Sequence, residues 1–287
     1  MASFTSAGLK IERAYSQALE LERQMRDVFG PGNMEHVFGP GPGEGKAYAL
    51  ITERQANPRE WRTVFRLLAQ PSETWGVLLG EIVHNLRSAL DHLVYEASSL
   101  DKNGRPLSDT EFPIFVDEDK FRSERRPGGL YKIRGLNAET RAFVESMQPF
   151  HSENPRLHHL WALRELSNAD KHRLLNFVVA AYRIEGPLLI KFTPSEGVKI
   201  TDDNSRVEVE LGIRPGVLED GAECLSFTTL SIFPDDTKVD VNLSVAFEIQ
   251  MGDASPSVQG MHLPWMLSAI GETTGRAMNE FKKLNPD

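Results

Sequence analysis

The chain has 287 residues and a formal net charge of −9, from 41 acidic and 32 basic side chains. Hydrophobic residues make up 40% of it, which is enough for a sizeable core and argues against a disordered chain. A single cysteine excludes an intramolecular disulfide framework and multi-cysteine metal sites. No basic segment followed by an apolar one opens the chain, and no apolar run could cross a bilayer. We therefore expect a soluble, cytoplasmic protein with no membrane association.

The first segment, Ala7 to Phe29, has apolar residues near the 3.6-residue period and is predicted to form an amphipathic helix. Glycine and proline then dominate Gly30 to Gly45, which indicates a surface loop. Two strand-like stretches follow, Lys46 to Thr52 and Trp61 to Leu68, and the turn-rich residues between them favour a β-hairpin.

The longest predicted helix runs from Glu73 to about Ser99, with Ser72 as its N-cap. A second helix is predicted from Asn137 to Met147. A third is predicted to begin at Asn154-Pro155, which offers a cap followed by a first-turn proline, and to run to about His172.

Beyond His172 the pattern changes to short stretches rich in Val, Ile, Phe and Thr, which predict five or six antiparallel strands. These stretches are Leu175 to Tyr182, Leu188 to Phe192, Arg206 to Ile213, Leu225 to Ile232 and Val239 to Ile249. A final helix is predicted from about Leu263 to Lys283. Its candidate core residues are Trp265, Met266, Ile270, Met278 and Phe281.

The predicted fold class is α+β: a mainly helical bundle with a β-hairpin and an inserted antiparallel β-sheet before the last helix. Residues 1–173 form the helical bundle, with the hairpin at about 46–69, and residues 174–251 form the inserted sheet. Residues 252–287 comprise a linker and the C-terminal helix. Because this helix is too apolar to be stable alone, we expect it to return to the bundle.

On a helical wheel the longest helix has one apolar arc and one polar arc. The polar arc contains Glu81, His84, Asn85, Arg87, Ser88, Asp91, His92 and Tyr95. Two histidines, an arginine and no lysine are more typical of a lined cleft or an interface than of a solvated face. The alternative is structural, since Arg87 and Asp91 are spaced i,i+4 and could form a surface ion pair.

A second polar cluster lies where the third helix ends, and its candidate phosphate- or ligand-binding residues are Asn168, Asp170, Lys171, His172 and Arg173. These side chains can orient a phosphate. The structural alternative is that cations in a last helical turn offset the negative end of the helix dipole.

The sequence lacks the motifs of several common classes of enzyme and cofactor-binding protein. The sequence has neither of the glycine-rich phosphate loops, no GxSxG nucleophile turn and no HExxH zinc spacing, so we expect no bound cofactor or metal. Cys224 lies in a strand pattern and is interpreted as a small core residue. The FPIF stretch, Phe112 to Phe115, is interpreted as an edge or core anchor.

Two motifs carry a resemblance to known families. HNLRSALDHLVYE at His84 to Glu96 and LRELSNADKHRLL at Leu163 to Leu175 resemble a widespread set of uncharacterised bacterial and phage-associated proteins. The spacing from Arg87 to His92 is also similar to the HEPN superfamily motif, an arginine followed after four to six residues by a histidine on one helix. HEPN proteins are helical bundles, and many are metal-independent ribonucleases of toxin, phage-defence and RNA-processing systems.

The resemblance implies a metal-independent ribonuclease of a bacterial stress or phage-defence system. In such an enzyme an RNA 2′-hydroxyl attacks the neighbouring phosphate. His92 would act as acid or base, and Arg87 would stabilise the developing charge. His84, Ser88, Asp91 and Tyr95 would support this pair. The resemblance also implies a homodimer with a composite site, which fits the angle of about 140° between Arg87 and His92 on the wheel.

Two other classes stay open. The chain could be a non-catalytic module that binds a protein or nucleotide ligand, with the polar arc as an interface and the β insertion as the recognition element. It could also be a metal-dependent hydrolase that uses His84, His92 and His172.

Overall fold

The computed structural model describes residues 4–29, 48–68, 71–98, 107–171, 175, 177–193, 207–211, 216–217, 221–230, 232–235, 237–251, 258, 261 and 263–286. Across these residues the chain has seven α-helices and seven strands, which confirms the α+β class. No helix in the described ranges is both long and apolar enough to span a bilayer. The predicted loop at Gly30 to Gly45 and the candidate residues His172 and Arg173 lie outside the described residues.

The helices are α1 (Thr5–Phe29), α2 (Glu73–Ala97), α3 (Glu118–Arg122), α4 (Gly129–Lys132), α5 (Ala138–Ser146), α6 (His159–Asp170) and α7 (Leu263–Leu284). The strands are β1 (Tyr48–Arg54), β2 (Glu60–Leu67), β3 (Phe177–Thr193), β4 (Val207–Leu211), β5 (Gly216–Val217), β6 (Glu223–Thr229) and β7 (Lys238–Met251). Two short 3-10 helices, Pro149–His151 and Pro155–Leu157, lie between α5 and α6.

The chain divides into two compact units. The helical unit comprises Met1–Leu21, Ser72–Phe177 and Met251–Asp287, and the sheet unit comprises Glu22–Pro71 and Val178–Gln250. In the helical unit α2 packs against α6 and α7, and α7 also packs against α5 and α6.

The central helix α2 begins where its sequence indicates. The Ser72 hydroxyl accepts a hydrogen bond from the Thr74 amide, which satisfies one of the free N–H groups of the first turn. The apolar arc is buried, and its largest aliphatic members are Leu79, Ile82, Val83, Leu86, Leu90 and Leu93. Burying each of these side chains contributes about 1.5 to 3 kcal/mol, so α2 is held mainly by its packing.

Helix α6 begins later than the sequence indicates. Pro155 opens a 3-10 turn, and the Asn154 side chain makes no capping hydrogen bond. The α-helix begins after His158, whose Nδ1 accepts from the Leu160 amide at 3.2 Å. A histidine is an unusual N-cap, so the Asn-Pro pair was the stronger but wrong signal.

Helix α7 corrects one core prediction. Met266, Ile270 and Phe281 are buried, whereas Trp265 is 60% exposed. Adjacent helical residues point about 100° apart, and at this position the buried face of α7 includes Met266 but not Trp265.

The sheet unit contains two sheets, with strand orders β1-β2-β6-β4 and β5-β3-β7. The predicted hairpin forms as β1 and β2, paired from Tyr48 with Leu67 to Arg54 with Trp61. The buried Trp61 stacks parallel to Phe227, with ring centroids 6.3 Å apart.

The hairpin differs from its predicted location in the helical bundle. Strand β2 pairs antiparallel with β6, so the hairpin belongs to the sheet unit. Alternating residues indicate that a strand forms but not which distant strand completes its hydrogen bonds.

The two predicted strands on either side of Pro187 are one strand, β3. On one edge of β3, strand β5 pairs with Ala180 and Ala181 only. Along that edge, no described strand is paired with Pro187. A residue without an N–H is tolerated at such a position.

Candidate functional site

Two polar helix faces and the FPIF stretch enclose one cavity, here called the cationic cleft, of about 370 Å³. On α2 the spacing of His84, Arg87 and Asp91 puts the three side chains on one face. The cleft is lined by His84, Arg87, Ser88, Asp91, Glu111, Phe112, Ile114, Phe115, Lys132, Arg164, Ser167, Asn168 and Lys171. The structure thus unites part of the first predicted cluster with part of the second.

Arg87, Asp91 and Phe112 line the cleft and contact one another. Arg87 Nη2 lies 2.9 Å from Asp91 Oδ1 and donates to the Phe112 carbonyl at 2.8 Å. Asp91 Oδ1 in turn accepts from the Phe112 amide at 2.9 Å. The i,i+4 ion pair therefore exists, and it anchors the FPIF stretch to α2.

Two further side chains hold the same stretch. Arg164 Nη1 donates to the Ile114 carbonyl at 3.2 Å. The buried Gln148 accepts from the Phe115 amide and donates to the Pro113 carbonyl. With Phe112 and Ile114 buried, FPIF is a core anchor, and its irregular backbone is satisfied by side chains.

Cations outnumber carboxylates around the cleft. Its lining contains the cations Arg87, Lys132, Arg164 and Lys171 and the carboxylates Asp91 and Glu111, a formal charge of +2 with histidine neutral. Lys132 donates to Glu111. Burial opposes ionisation of Glu111, but Lys132, Arg87 and Lys171 outweigh it, so the pKa of Glu111 lies below its usual value.

Two other pKa shifts in the cleft are caused first by burial and then by neighbouring charges. Burial raises the pKa of Asp91, although Arg87 and the Phe112 amide partly offset this effect. Burial also lowers the pKa of Arg164; the charge of Glu165 opposes this shift and that of Arg87 adds to it. Two guanidinium groups therefore repel each other beside the cleft, and a bound anion would relieve that repulsion.

His92, the predicted acid or base, belongs to a different network. Ser6 Oγ lies 2.6 Å from His92 Nδ1 and donates to Glu96 Oε1 at 2.6 Å. Because the hydroxyl has only one proton, His92 Nδ1 is the donor to Ser6. His92 does not line the cationic cleft, so Arg87 and His92 of one chain share no target atom.

The remaining predicted site residues also differ in whether they line the cationic cleft. Ser88, Asn168 and Lys171 line the cationic cleft, whereas the half-exposed Tyr95 does not. Asp170 lies against α2 at Gly80, outside this cleft.

Lys132, Glu111 and Arg164 were not among the predicted site residues. The sequence did contain a signal for Arg164, because Arg164, Asn168 and Lys171 are spaced i, i+4 and i+7 and share one face of a helix. Lys132 and Glu111 come from short or irregular segments, where no periodicity indicates direction.

Titratable groups outside the cationic cleft, among them His158, His159 and Cys224, are packed against other parts of the protein. His158 and His159 rings lie 4.1 Å apart, and burial with the nearby charges of His159 and Arg276 lowers the pKa of His158 to about 4. The buried Cys224 thiol has its pKa raised by burial to about 11, which fits a core residue. Within the described ranges, no three His, Cys, Asp or Glu side chains are grouped to hold a metal ion.

Comparisons with known protein families, with curated proteins and with solved structures found no match to this chain. The resemblance to HEPN proteins therefore stays a prediction from the Arg87 to His92 spacing.

Proposed function

We propose that the helical unit binds a phosphate-bearing ligand in the cationic cleft. The observation that carries this proposal is the surplus of cations: four cationic side chains and two carboxylates line one cavity in a chain whose net charge is −9. Such a local surplus attracts an anion even within an acidic protein.

The donors that remain fit a phosphate. A guanidinium has five N–H donors in a planar fork, and the bonds from Arg87 and Arg164 to Asp91 and to backbone carbonyls leave others free for a ligand. Lys171 is exposed, and its side-chain ammonium makes no ion pair or hydrogen bond to any described residue. The volume of about 370 Å³ corresponds to a small ligand.

Isothermal titration calorimetry with pyrophosphate tests this proposal on wild type, Lys171→Gln and Lys282→Gln. The two lysines are matched, since both are exposed and lie near the C-terminal ends of their helices. We expect binding by the wild type, affinity about five- to tenfold lower for Lys171→Gln, and no change for Lys282→Gln. Absence of binding, or an equal loss in both variants, would contradict the proposal.

A second candidate function is the HEPN-like, metal-independent ribonuclease of a bacterial stress or phage-defence system. It is favoured by one observation, that Arg87 lines a cleft suited to a phosphodiester. Because His92 of the same chain lies outside the cleft, this proposal requires a homodimer in which the two groups come from different copies.

An RNA cleavage assay in EDTA, with His92→Ala and His151→Ala as matched variants, tests the ribonuclease. His151 is exposed and lies outside the cationic cleft. We expect a ribonuclease of this type to cleave in EDTA and to lose activity only in His92→Ala. Cleavage by the folded His92→Ala variant would exclude the predicted role of His92, and cleavage abolished by EDTA would favour the metal-dependent class.

A further inference from the structure

A second cavity, here called the second cleft, adjoins the cationic cleft at His84, which lines both. It has a volume of about 640 Å³ and is formed by α1, α2 and the end of α6 within the helical unit. Its lining consists of Arg13, Gln17, Val77, Gly80, Glu81, His84, Asn85 and Asp170. Its polar groups are mostly carboxylates and amides, in contrast to the cations next to it.

The amides of the second cleft are held in fixed orientations. Gln17 is only 4% exposed, donates to Glu81, and accepts from Asn85 Nδ2 at 2.9 Å. Val77 is 54% exposed and adds an apolar surface to the same cavity. A few polar groups held in fixed orientations beside apolar surface are typical of small-molecule sites.

Among the described residues, the Asp170 side chain has no hydrogen-bond or ion-pair partner. Burial raises the pKa of its carboxylate, although the charge of His84 partly offsets this. A Cβ at Gly80 would lie 2.1 Å from Asp170 Oδ1. The Asp170 carboxylate therefore lies against α2 at Gly80, where the missing Cβ leaves room for it, and Asp170 also lines the second cleft.

We propose that the second cleft binds the guanine base of a guanine nucleotide whose phosphate occupies the cationic cleft. This inference rests on the proposed phosphate binding. An ionised carboxylate only accepts hydrogen bonds and can accept two from adjacent donors. Among the common bases, guanine presents two such donors side by side, N1–H and the N2 amino group. His84 lines both clefts, so in this arrangement its side chain would lie between base and phosphate.

Calorimetry with GMP, IMP and AMP tests this assignment, because IMP lacks only the N2 amino group and all three carry the same phosphate. We expect wild type to bind GMP about tenfold or more tightly than IMP or AMP. In Asp170→Asn the ratio of GMP to IMP affinity falls to near one, since an amide cannot accept both hydrogen bonds. The matched control is Asp119→Asn, an exposed aspartate on α3 outside both clefts.

Gly80→Ala provides a second variant, because its methyl group displaces the Asp170 carboxylate while alanine favours the helix. We expect it to lose the preference for GMP as well. Equal affinities of wild type for GMP, IMP and AMP would overturn the guanine assignment but leave phosphate binding standing. A preference that persists in folded Asp170→Asn would also overturn it. If neither pyrophosphate nor any nucleotide bound, the proposed function itself would fail.

Discussion

The sequence offers two interpretations of Arg87, a structural ion pair with Asp91 or a residue that lines a cleft, and the structure shows that the two are compatible. Arg87 forms the i,i+4 ion pair with Asp91, and it also lines the cationic cleft. Only the structure shows why one residue does both. The pair binds the backbone of Phe112, and that contact depends on an irregular segment 21 residues beyond Asp91 in the chain.

We expect Arg87→Ala to lower the free energy of unfolding by roughly 2 to 4 kcal/mol, because it leaves the Asp91 carboxylate half-buried without its cation. The matched control is Arg126→Ala, whose ion pair with Asp109 is largely exposed and contributes less than about 1 kcal/mol. Urea unfolding of both variants measures the difference. Equal, small losses would show that the Phe112 anchor is not stabilising.

His92 illustrates the limit of a motif on one helix. The wheel placed it on the polar arc, and the helix does carry it there. The wheel could not show that α1 supplies Ser6 as its partner, since that contact joins residues 86 positions apart. Its predicted catalytic role therefore depends on a second copy of the chain.

At the level of elements, the sequence predicted the helices better than their surroundings. Helix α2 runs from Glu73 to Ala97 and α7 from Leu263 to Leu284, close to the predicted bounds, because long apolar periodicity and a capping serine are local signals. The start of α6 and the partner of the hairpin depend on an unusual cap and on a distant strand, so local signals failed there.

The cap of α6 makes a pH dependence testable. The pKa of His158 is about 4 in the folded chain and near 6.5 when unfolded, so the unfolded state takes up the proton first as pH falls. Stability from this group is complete above about pH 6.5 and is lost between there and about pH 4. Protonation also removes the Nδ1 acceptor for the Leu160 amide.

We expect His158→Asn, a cap that does not titrate, to lose less stability than wild type between pH 7 and pH 4.5 in urea unfolding. His151→Asn serves as the control, because His151 is exposed and should leave the wild-type profile unchanged. Parallel profiles for wild type and His158→Asn would show that His158 does not cause the acid loss.

For the whole molecule, the charge of −9 and the cationic cleft make a joint prediction. Only four cationic side chains line the cationic cleft, and the net negative charge of the chain repels nucleic acid. We expect single-stranded RNA to bind through only two or three phosphates, so the log of its affinity should fall against log salt with a slope of about −2. Fluorescence anisotropy of a labelled 20-mer gives this slope. Tight binding with a slope of about −5 or steeper would indicate an extended basic surface instead.

The division into two units was only partly accessible from sequence. The change from helical to alternating periodicity after His172 marks where strands begin, but the hairpin, which ends at Leu67 more than 100 residues earlier, belongs to the same unit. Likewise, the two polar clusters could be recognised separately. Their meeting in one cleft depends on α2 packing against α6, which no local pattern encodes.

Side-chain NMR can observe directly whether a phosphate binds in the cationic cleft between Arg87 and Arg164. The measurement is the ¹H–¹⁵N shift of the arginine Nε–H groups during titration with pyrophosphate. We expect saturable shifts at Arg87 and Arg164 and none at the exposed Arg122 and Arg126. Shifts confined to Arg122 and Arg126, or no shifts at all, would contradict phosphate binding in the cationic cleft.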